Sequence, residues 1–261
     1  MSERYDWQAI VAGLNRYLRL RSIPVGMKLF ETQEAMEAIP RIRRPTRKHT
    51  TDQIVAQARQ LGWTVGITMA DLVGAQCGAV IGLHPQDEEW LSGRRMAGVW
   101  FQTVEDAAAH QRAMDCVPHG RYAAMAVSPL TSGRLDPPDI CLVYGTPGQM
   151  IFFINGLQWS GYRKLSFTSV GESACADSWG RALRTGEPSL TIPCYAERRY
   201  GGVADDELLM ALPPHYLPRV LEGLAALDRN GLRYPIPPWG IQADATAGLA
   251  VSYAEKGTPS R

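Results

Sequence analysis

Helical and strand-like segments alternate along this chain, its most apolar residues fall in short continuous runs, and no internal repeat interrupts them. Together these predict an α/β or α+β fold in a single domain, with a mixed sheet and helical crossovers. At 261 residues, 45% of them hydrophobic, the chain is long enough to bury one large core. The domain is expected over residues 1–229, followed by a proline-rich C-terminal extension over 230–261.

From Trp7 to Leu20, the residues Ile10, Val11, Leu14, Tyr17 and Leu18 recur at helical spacing. PVGMKLF at 24–30 is strand-like, and alternation sends Lys28 to the face opposite Met27 and Leu29, to a sheet edge or a pocket. Thr51 to Leu61 reads as a helix capped by Thr50 or Thr51, followed by the strand WTVGIT at 63–68. VEDAAAHQRAMD at 104–115 reads as a helix. YAAMAVSPL at 122–130 and ICLVYG at 140–145 are apolar without alternation, which predicts strands buried on both faces. Pro147 opens a helix over 148–157. SLTIPC at 189–194 reads as a strand, and Asp205–Leu212 and Tyr216–Asp228 as helices. Prolines crowd the segment past Asn230, which is expected to wrap the surface or reach a neighbouring subunit of a homo-oligomer.

Charge and composition remove whole classes of function. The formal net charge is +1, and no basic face of the size that nucleic-acid binding needs is present in the sequence. Arg41, Arg43, Arg44, Arg47 and Lys48 cluster around Pro40 and Pro45, which predicts a solvated loop or, alternatively, a surface for an anionic partner. No apolar run approaches the roughly 20 residues that cross a bilayer, and the N-terminal segment is amphipathic and charged rather than a signal peptide. A cytoplasmic protein is expected. Five cysteines without a Cys-x-x-Cys pair fit reduced thiols better than a disulfide framework or a ribbon-type zinc site.

The segment 161–214 concentrates Glu172, Cys175, Cys194, Glu197, Arg198, Arg199 and Tyr200 close to the glycine pair Gly201-Gly202. Thiols, carboxylates and guanidinium groups are costly to bury unless they satisfy one another, so such crowding marks a candidate site. Arg198 or Arg199 is positioned to clamp an anion, the other to form a structural ion pair. Tyr144 and Gln149 flank the turn after ICLVYG, where they either line a ligand or cap the turn. Trp63, Trp100, Trp159, Trp179 and Trp239 are candidates for an apolar pocket or for plain core filling. His119 is a loop histidine that is either solvated or a general acid or base. Dinucleotide, phosphate-loop, nucleophile-elbow and His-Glu-x-x-His motifs are absent from the sequence, which leaves reactions run by positioned acids and bases.

The blocks PVGMKLF (24–30), CGAVIGL (77–83), AVSPL (126–130), PPDICLVYGTPGQM (137–150) and SACADSWGRALRTGEPSLTIPCYAERRYGGVADDELLMALP (173–213) occur in an order that resembles the uncharacterised family catalogued as domain of unknown function 169. The resemblance spans roughly residues 15–228. It implies a Cys-Gln pair early, a cysteine before a Gly-rich helix, a cysteine near the start of the late helix and a small or Cys residue before the arginine block; this chain keeps Cys77, Cys175 and Cys194 and carries Asp52-Gln53 where Cys-Gln is expected. The resemblance also implies that the three remaining thiols converge in space. They then hold a metal or iron–sulfur cluster, with Asp52 as an oxygen ligand of a zinc, or serve as buried small hydrophobes.

The reading that follows is a lyase without an organic or metal cofactor, cleaving a C–C bond of a small, aromatic, anionic compound with release of formaldehyde or carbon dioxide. Lys28, Asp52, Cys194, Arg198 and Arg199 are its candidate catalytic residues, and Cys77, Tyr144, Gln149, Trp159 and Cys175 its candidate substrate contacts. The alternatives are a metal or iron–sulfur protein built on Cys77, Cys175 and Cys194, and a non-catalytic small-molecule binding protein.

Overall fold

Residues 5–238 are described by the computed structural model. In chain order the elements are α1 (Trp7–Leu18), β1 (Val25–Phe30), α2 (Gln33–Glu37), α3 (Thr51–Leu61), β2 (Val65–Thr68), α4 (Gln76–Val80), α5 (Glu88–Leu91), α6 (Val104–Ala113), β3 (Ala124–Pro129), β4 (Ile140–Gly145), α7 (Pro147–Gln158), a π-helical turn (Ala176–Gly180), α8 (Arg181–Thr185), β5 (Ser189–Thr191), α9 (Tyr195–Arg199), β6 (Leu208–Leu212) and α10 (Tyr216–Arg229). The six strands form one sheet in the order β2-β3-β1-β4-β6-β5, and helices pack on it to give one compact α/β domain.

Every named strand pair is antiparallel, where a mixed sheet was expected. The expectation failed because continuous apolar strands suggest a parallel sheet covered on both sides. Here an antiparallel sheet is covered on both sides too, and the strand sequences are the same either way. In β4, Ile140, Leu142 and Tyr144 enter one core while Cys141 and Val143 enter another. In β6, Leu209 and Ala211 go to the first and Met210 and Leu212 to the second. The first core lies under α3, α4 and the π-helical turn; the second lies under α1, α7 and α10.

A second correction concerns Asp205–Leu212, read as a helix. Leu208–Leu212 is instead β6, a strand whose residues pair with both β4 and β5. LLMAL is apolar throughout, so periodicity cannot separate a buried helix from a buried strand, and tertiary pairing decides. SLTIPC shortens to Ser189–Thr191, because Cys194 already caps α9. The other expected helices and strands fall within a few residues of their places, while α2, α4, α5, α8, α9 and the π-helical turn were not expected.

Local chemistry fixes the helix ends. Asp6 accepts from the Ala9 N–H at 2.9 Å, Thr50 and Gln53 form a reciprocal cap on α3, and Gly62 closes α3 with φ at +72°. Arg43 lies over the Trp63 ring at 4.2 Å, and Arg44 pairs with Glu37 and Asp71, so two members of the basic cluster serve the fold. Past α10, Leu232 and Tyr234 pack against the second core. The rest of the expected extension, with Trp239, lies outside the described residues.

The second core depends on one close crossing. α7 and α10 approach so tightly at Gly156 and Gly223 that a methyl group on Gly223 would run into the Gly156 carbonyl, a backbone atom that cannot rotate away. Gly223→Ala is expected to lower stability by about 1–3 kcal/mol, read as a drop in thermal midpoint, although alanine favours an isolated helix. A midpoint equal to or above that of the native protein would show that the helices separate without cost.

Candidate active site

A cavity of about 360 Å3 opens beside the N-terminus of α3, walled by the loop into α4, by α5 and the turn after it, and by α9. That volume is in the range of small-molecule sites. Asp52, Gln76, Cys77, His84, Trp90 and Tyr200 are among the residues lining it. Gln76 and Gln111 hold each other reciprocally, at 2.6 and 3.1 Å, and Gln111 also donates to the Trp90 carbonyl at 3.1 Å. The amides are therefore fixed, and they join α4 to α6 and α5 across the cavity wall.

Asp52 stands in the first turn of α3 and is 3% exposed. Glu197 stands in the first turn of α9 and is 1% exposed. Glu197 Oε2 accepts from the Cys194 N–H at 2.9 Å, capping α9, while Glu197 Oε1 and Asp52 Oδ1 are buried with no hydrogen-bond partner. Burial raises the Asp52 carboxyl to about 6, and the charge of Glu172 adds to the rise against Asp52's own backbone N–H and the Thr50 hydroxyl. Burial raises Glu197 further, to about 8, with the Asp52 charge as the next cause. Glu172, itself raised by burial, completes an acidic set with these two. Two carboxyl groups in mutual reach cannot both ionise cheaply, which pushes their titrations apart.

The glycine pair makes this approach possible. A side chain on Gly201 would meet the Glu197 carbonyl and lie 3.3 Å from the Asp52 Cβ, so only glycine lets the turn after α9 close on α3. Their carbonyls are not left open for a ligand. Arg59 Nη2 donates to Gly201 at 3.2 Å and to Gly202 at 2.9 Å, while Arg59 pairs with Glu207 at 3.4 Å and covers the Tyr144 ring at 4.3 Å.

The structure brings five of the ten candidate residues together. The Cys175 Sγ lies 3.4 Å from the Cys77 Sγ, and Cys194 and Asp52 are both within electrostatic reach of Cys175. Tyr144 feels the Glu197 and Asp52 charges. Burial pushes the Cys194 thiol and the Tyr144 phenol above their ordinary values, the Glu197 charge adding to both; Cys175 rises first through its hydrogen bond with Cys77. Among the described residues, no group of three or more His, Cys, Asp or Glu side chains is arranged to hold a metal ion.

The other five lie elsewhere. Lys28 projects from the sheet face opposite Met27 and Leu29, as alternation requires, and donates to the Pro137 carbonyl at 2.8 Å. Gln149 Nε2 donates to the Leu18 and Arg19 carbonyls at 2.8 and 3.0 Å, and its Oε1 caps α7, so it ties α7 to the end of α1. Trp159 is exposed beyond α7. Arg198 donates to the Pro193 and Ala204 carbonyls and stands 3.9 Å from Asp205, while Arg199 is exposed. His119 contacts the Gly82 carbonyl at 3.0 Å.

Arg59, Gln76, Gln111, Trp90 and His84 were absent from the candidate residues, and Glu197 was named in the crowded segment without a role. Two of them carried a signal. Glu197 follows Cys194 at the cap-to-third-residue spacing, and Arg59 interrupts the apolar stripe of Ile54, Val55 and Ala58, where an arginine demands buried partners.

An antiparallel α/β domain holding a buried carboxyl pair and a thiol pair beside a cavity of small-molecule size defines a class, a compact α/β domain with an acidic, thiol-rich cluster among its described residues. The chain belongs to the DUF169 family of uncharacterised ArCR proteins, whose model matches residues 13–223. It is similar to the uncharacterised protein MJ0308 of Methanocaldococcus jannaschii, 23% identical over 124 residues, a match covering 46% of this chain and 52% of that protein. The chain thus spans about half the length of this curated relative. No solved structure matches the chain.

Asp52 has a stability signature that can be measured without a substrate. Its folded-state value of about 6 lies above the ordinary 3.8, so the stability it contributes is present while it is protonated and is lost as pH rises from 3.8 through about 6. Asp52→Asn removes that loss. The variant is expected to be more stable than the native protein at pH 8 by on the order of 2–3 kcal/mol, the gain vanishing below about pH 4. Denaturant melts at both pH values check this, and equal stability at pH 8 would show that Asp52 ionises there without penalty.

Proposed function

We propose that this protein is an acid/base enzyme of the lyase class, acting on a small aromatic anion held in the cavity beside Asp52. The observation that supports it is the carboxyl pair, Asp52 and Glu197, buried with unpartnered oxygens and with values raised toward neutral. A desolvated carboxyl titrating near the working pH is suited to move protons in both directions. Trp90 and Tyr200 place aromatic side chains in the cavity wall, and Arg95 places a guanidinium there. In this reading Arg95, which pairs with Glu89 at 2.5 Å, takes the anion-binding role that Arg198 and Arg199 were expected to fill.

For release of formaldehyde, the Asp52 carboxylate takes the hydroxyl proton of a hydroxymethyl group. The O–H electrons form the C=O bond, the C–C bond breaks, and its electrons stay on the ring. The proton on Asp52 then returns to that ring carbon. Glu197 does not meet the substrate. It stays protonated so that no second charge opposes the ionisation of Asp52, which makes it a positioning and tuning residue. The chemistry needs only side chains of this chain.

The test starts with phenolic acids, with and without hydroxymethyl groups, titrated while tryptophan fluorescence is followed; formaldehyde and carbon dioxide release are then assayed. Turnover is expected to rise through an apparent value of about 6 and fall through about 8, values belonging to the pair as a unit. Asp52→Asn should lose about 10²–10⁴-fold in turnover while still binding the ligand. Binding without turnover in the native protein would favour the non-catalytic reading, and undiminished turnover in Asp52→Asn would remove Asp52 from the chemistry.

A further inference from the structure

We propose that Cys77 and Cys175 are a redox-active dithiol, in which Cys77 meets a hydroperoxide entering the cavity and Cys175 resolves the product into a disulfide. The chemistry is separate from proton transfer at Asp52 and stands on its own observations. The two sulfurs are 3.4 Å apart, although the residues are 98 positions apart in sequence. Closing to the roughly 2.05 Å of a disulfide asks for a movement of little more than about 1 Å.

The two thiols are not equivalent, and the difference assigns their roles. Cys77 is partly exposed and lines the cavity, so a small oxidant reaches it. Cys175 is 1% exposed and has no route of its own to solvent through that wall. Cys175 donates its S–H to the Cys77 sulfur, so Cys77 meets its partner on one side and the cavity on the other. Cys194 also lies within electrostatic reach of Cys175, but it caps α9 beside Glu197 and does not line the cavity, and the two remaining thiols lie farther off. Cys141 is buried in the core on the far face of the sheet, and Cys116 packs at the edge of the first core.

The backbone around Cys175 is irregular in a way that accommodates the step. Cys175 immediately precedes the π-helical turn Ala176–Gly180, and Ser173, two residues earlier, has φ at +63°. A widened turn recurs at functional sites, and a non-glycine residue held in the left-handed region is strained, so this stretch can shift locally without remaking the sheet.

The step balances. The Cys77 thiolate attacks one oxygen of hydrogen peroxide, the O–O bond breaks, and the departing hydroxide takes a proton to leave as water, with a sulfenic acid on Cys77. The Cys175 sulfur attacks the Cys77 sulfur and gives up its proton, and the sulfenic hydroxyl leaves as a second water. Two thiols are oxidised to one disulfide, and one peroxide is reduced to two waters.

The experiment treats native protein with hydrogen peroxide, denatures it, alkylates the remaining thiols and maps the peptides by mass spectrometry. Two of the five thiols should be lost into a single Cys77–Cys175 cross-link that dithiothreitol reverses. Cys175→Ser should instead leave a sulfenic acid on Cys77 that dimedone traps, and Cys116→Ser should cross-link as the native protein does. The proposal is overturned if all five thiols stay alkylatable under peroxide that consumes free N-acetylcysteine. It is equally overturned if the cross-link joins other cysteines, or if Cys77 is carried to sulfinic acid without one. The measurement on native protein needs no variant to fold.

Discussion

The Arg59 guanidinium is the group on which the arrangement of the site depends. It is 3% exposed, and a buried charge persists only where its directions are answered. Its answers come from three other segments: the Glu207 carboxylate ahead of β6, the Gly201 and Gly202 carbonyls after α9, and the Tyr144 ring at the end of β4. Glu207 in turn accepts from the Ala204 N–H at 2.9 Å, closing the loop between α9 and β6. One side chain thereby holds α3 against α9, and with it Asp52 against Glu197. Truncating one partner of such a pair costs about 3–5 kcal/mol because the other charge is left buried alone. The acid pair is therefore maintained by a cation that lies beside it and has been committed to other partners.

That commitment shapes the electrostatics. Asp52, Glu172, Glu197, Tyr144, Cys175 and Cys194 are all raised, and for most of them burial is the first cause. Each charge that forms in this cluster raises its neighbours further, since Asp52 acts on Glu197 and Glu172 on Asp52. The site consequently resists accumulating negative charge. Within the buried pair, Asp52 ionises near neutral pH and Glu197 only at a higher pH. This is how two chemically similar groups come to differ in protonation over a physiological range.

Much of the architecture was legible in the residues, and the failures have one cause. Periodicity reports how a segment meets its surroundings, so Lys28 was correctly sent to the face opposite Met27 and Leu29, and capping chemistry marked the start of α3. Where both faces of an element are apolar, periodicity carries no information. LLMAL was then read as helix instead of strand, and an antiparallel sheet was read as mixed. The site was visible as a region because thiols and acids crowd 172–197, and Cys77 joined it through the family likeness. Long-range partners were not visible. Nothing local to Arg198 says that its hydrogens go to the Pro193 and Ala204 carbonyls, and nothing local to Gln76 says that it holds Gln111.

Asp52 stands where the family likeness implies a cysteine, and the exchange has a physical consequence. A thiol in this position is neutral at pH 7 and packs as a small hydrophobe, so its burial is nearly free. A carboxyl in the same place is desolvated, has an oxygen without a partner, and is opposed by the charge of Glu172. It therefore lowers stability at neutral pH, where a cysteine or an asparagine would not. A chain can carry such a group when its charge is used, because residues that are costly to the fold concentrate where function needs them. The same substitution removes a soft ligand from any four-thiol arrangement and leaves Cys77 and Cys175 facing each other across 3.4 Å. At this one position the chain offers a buried carboxyl where the likeness implies a sulfur, beside the Cys77–Cys175 pair, and that carboxyl is what the proposed proton transfer uses.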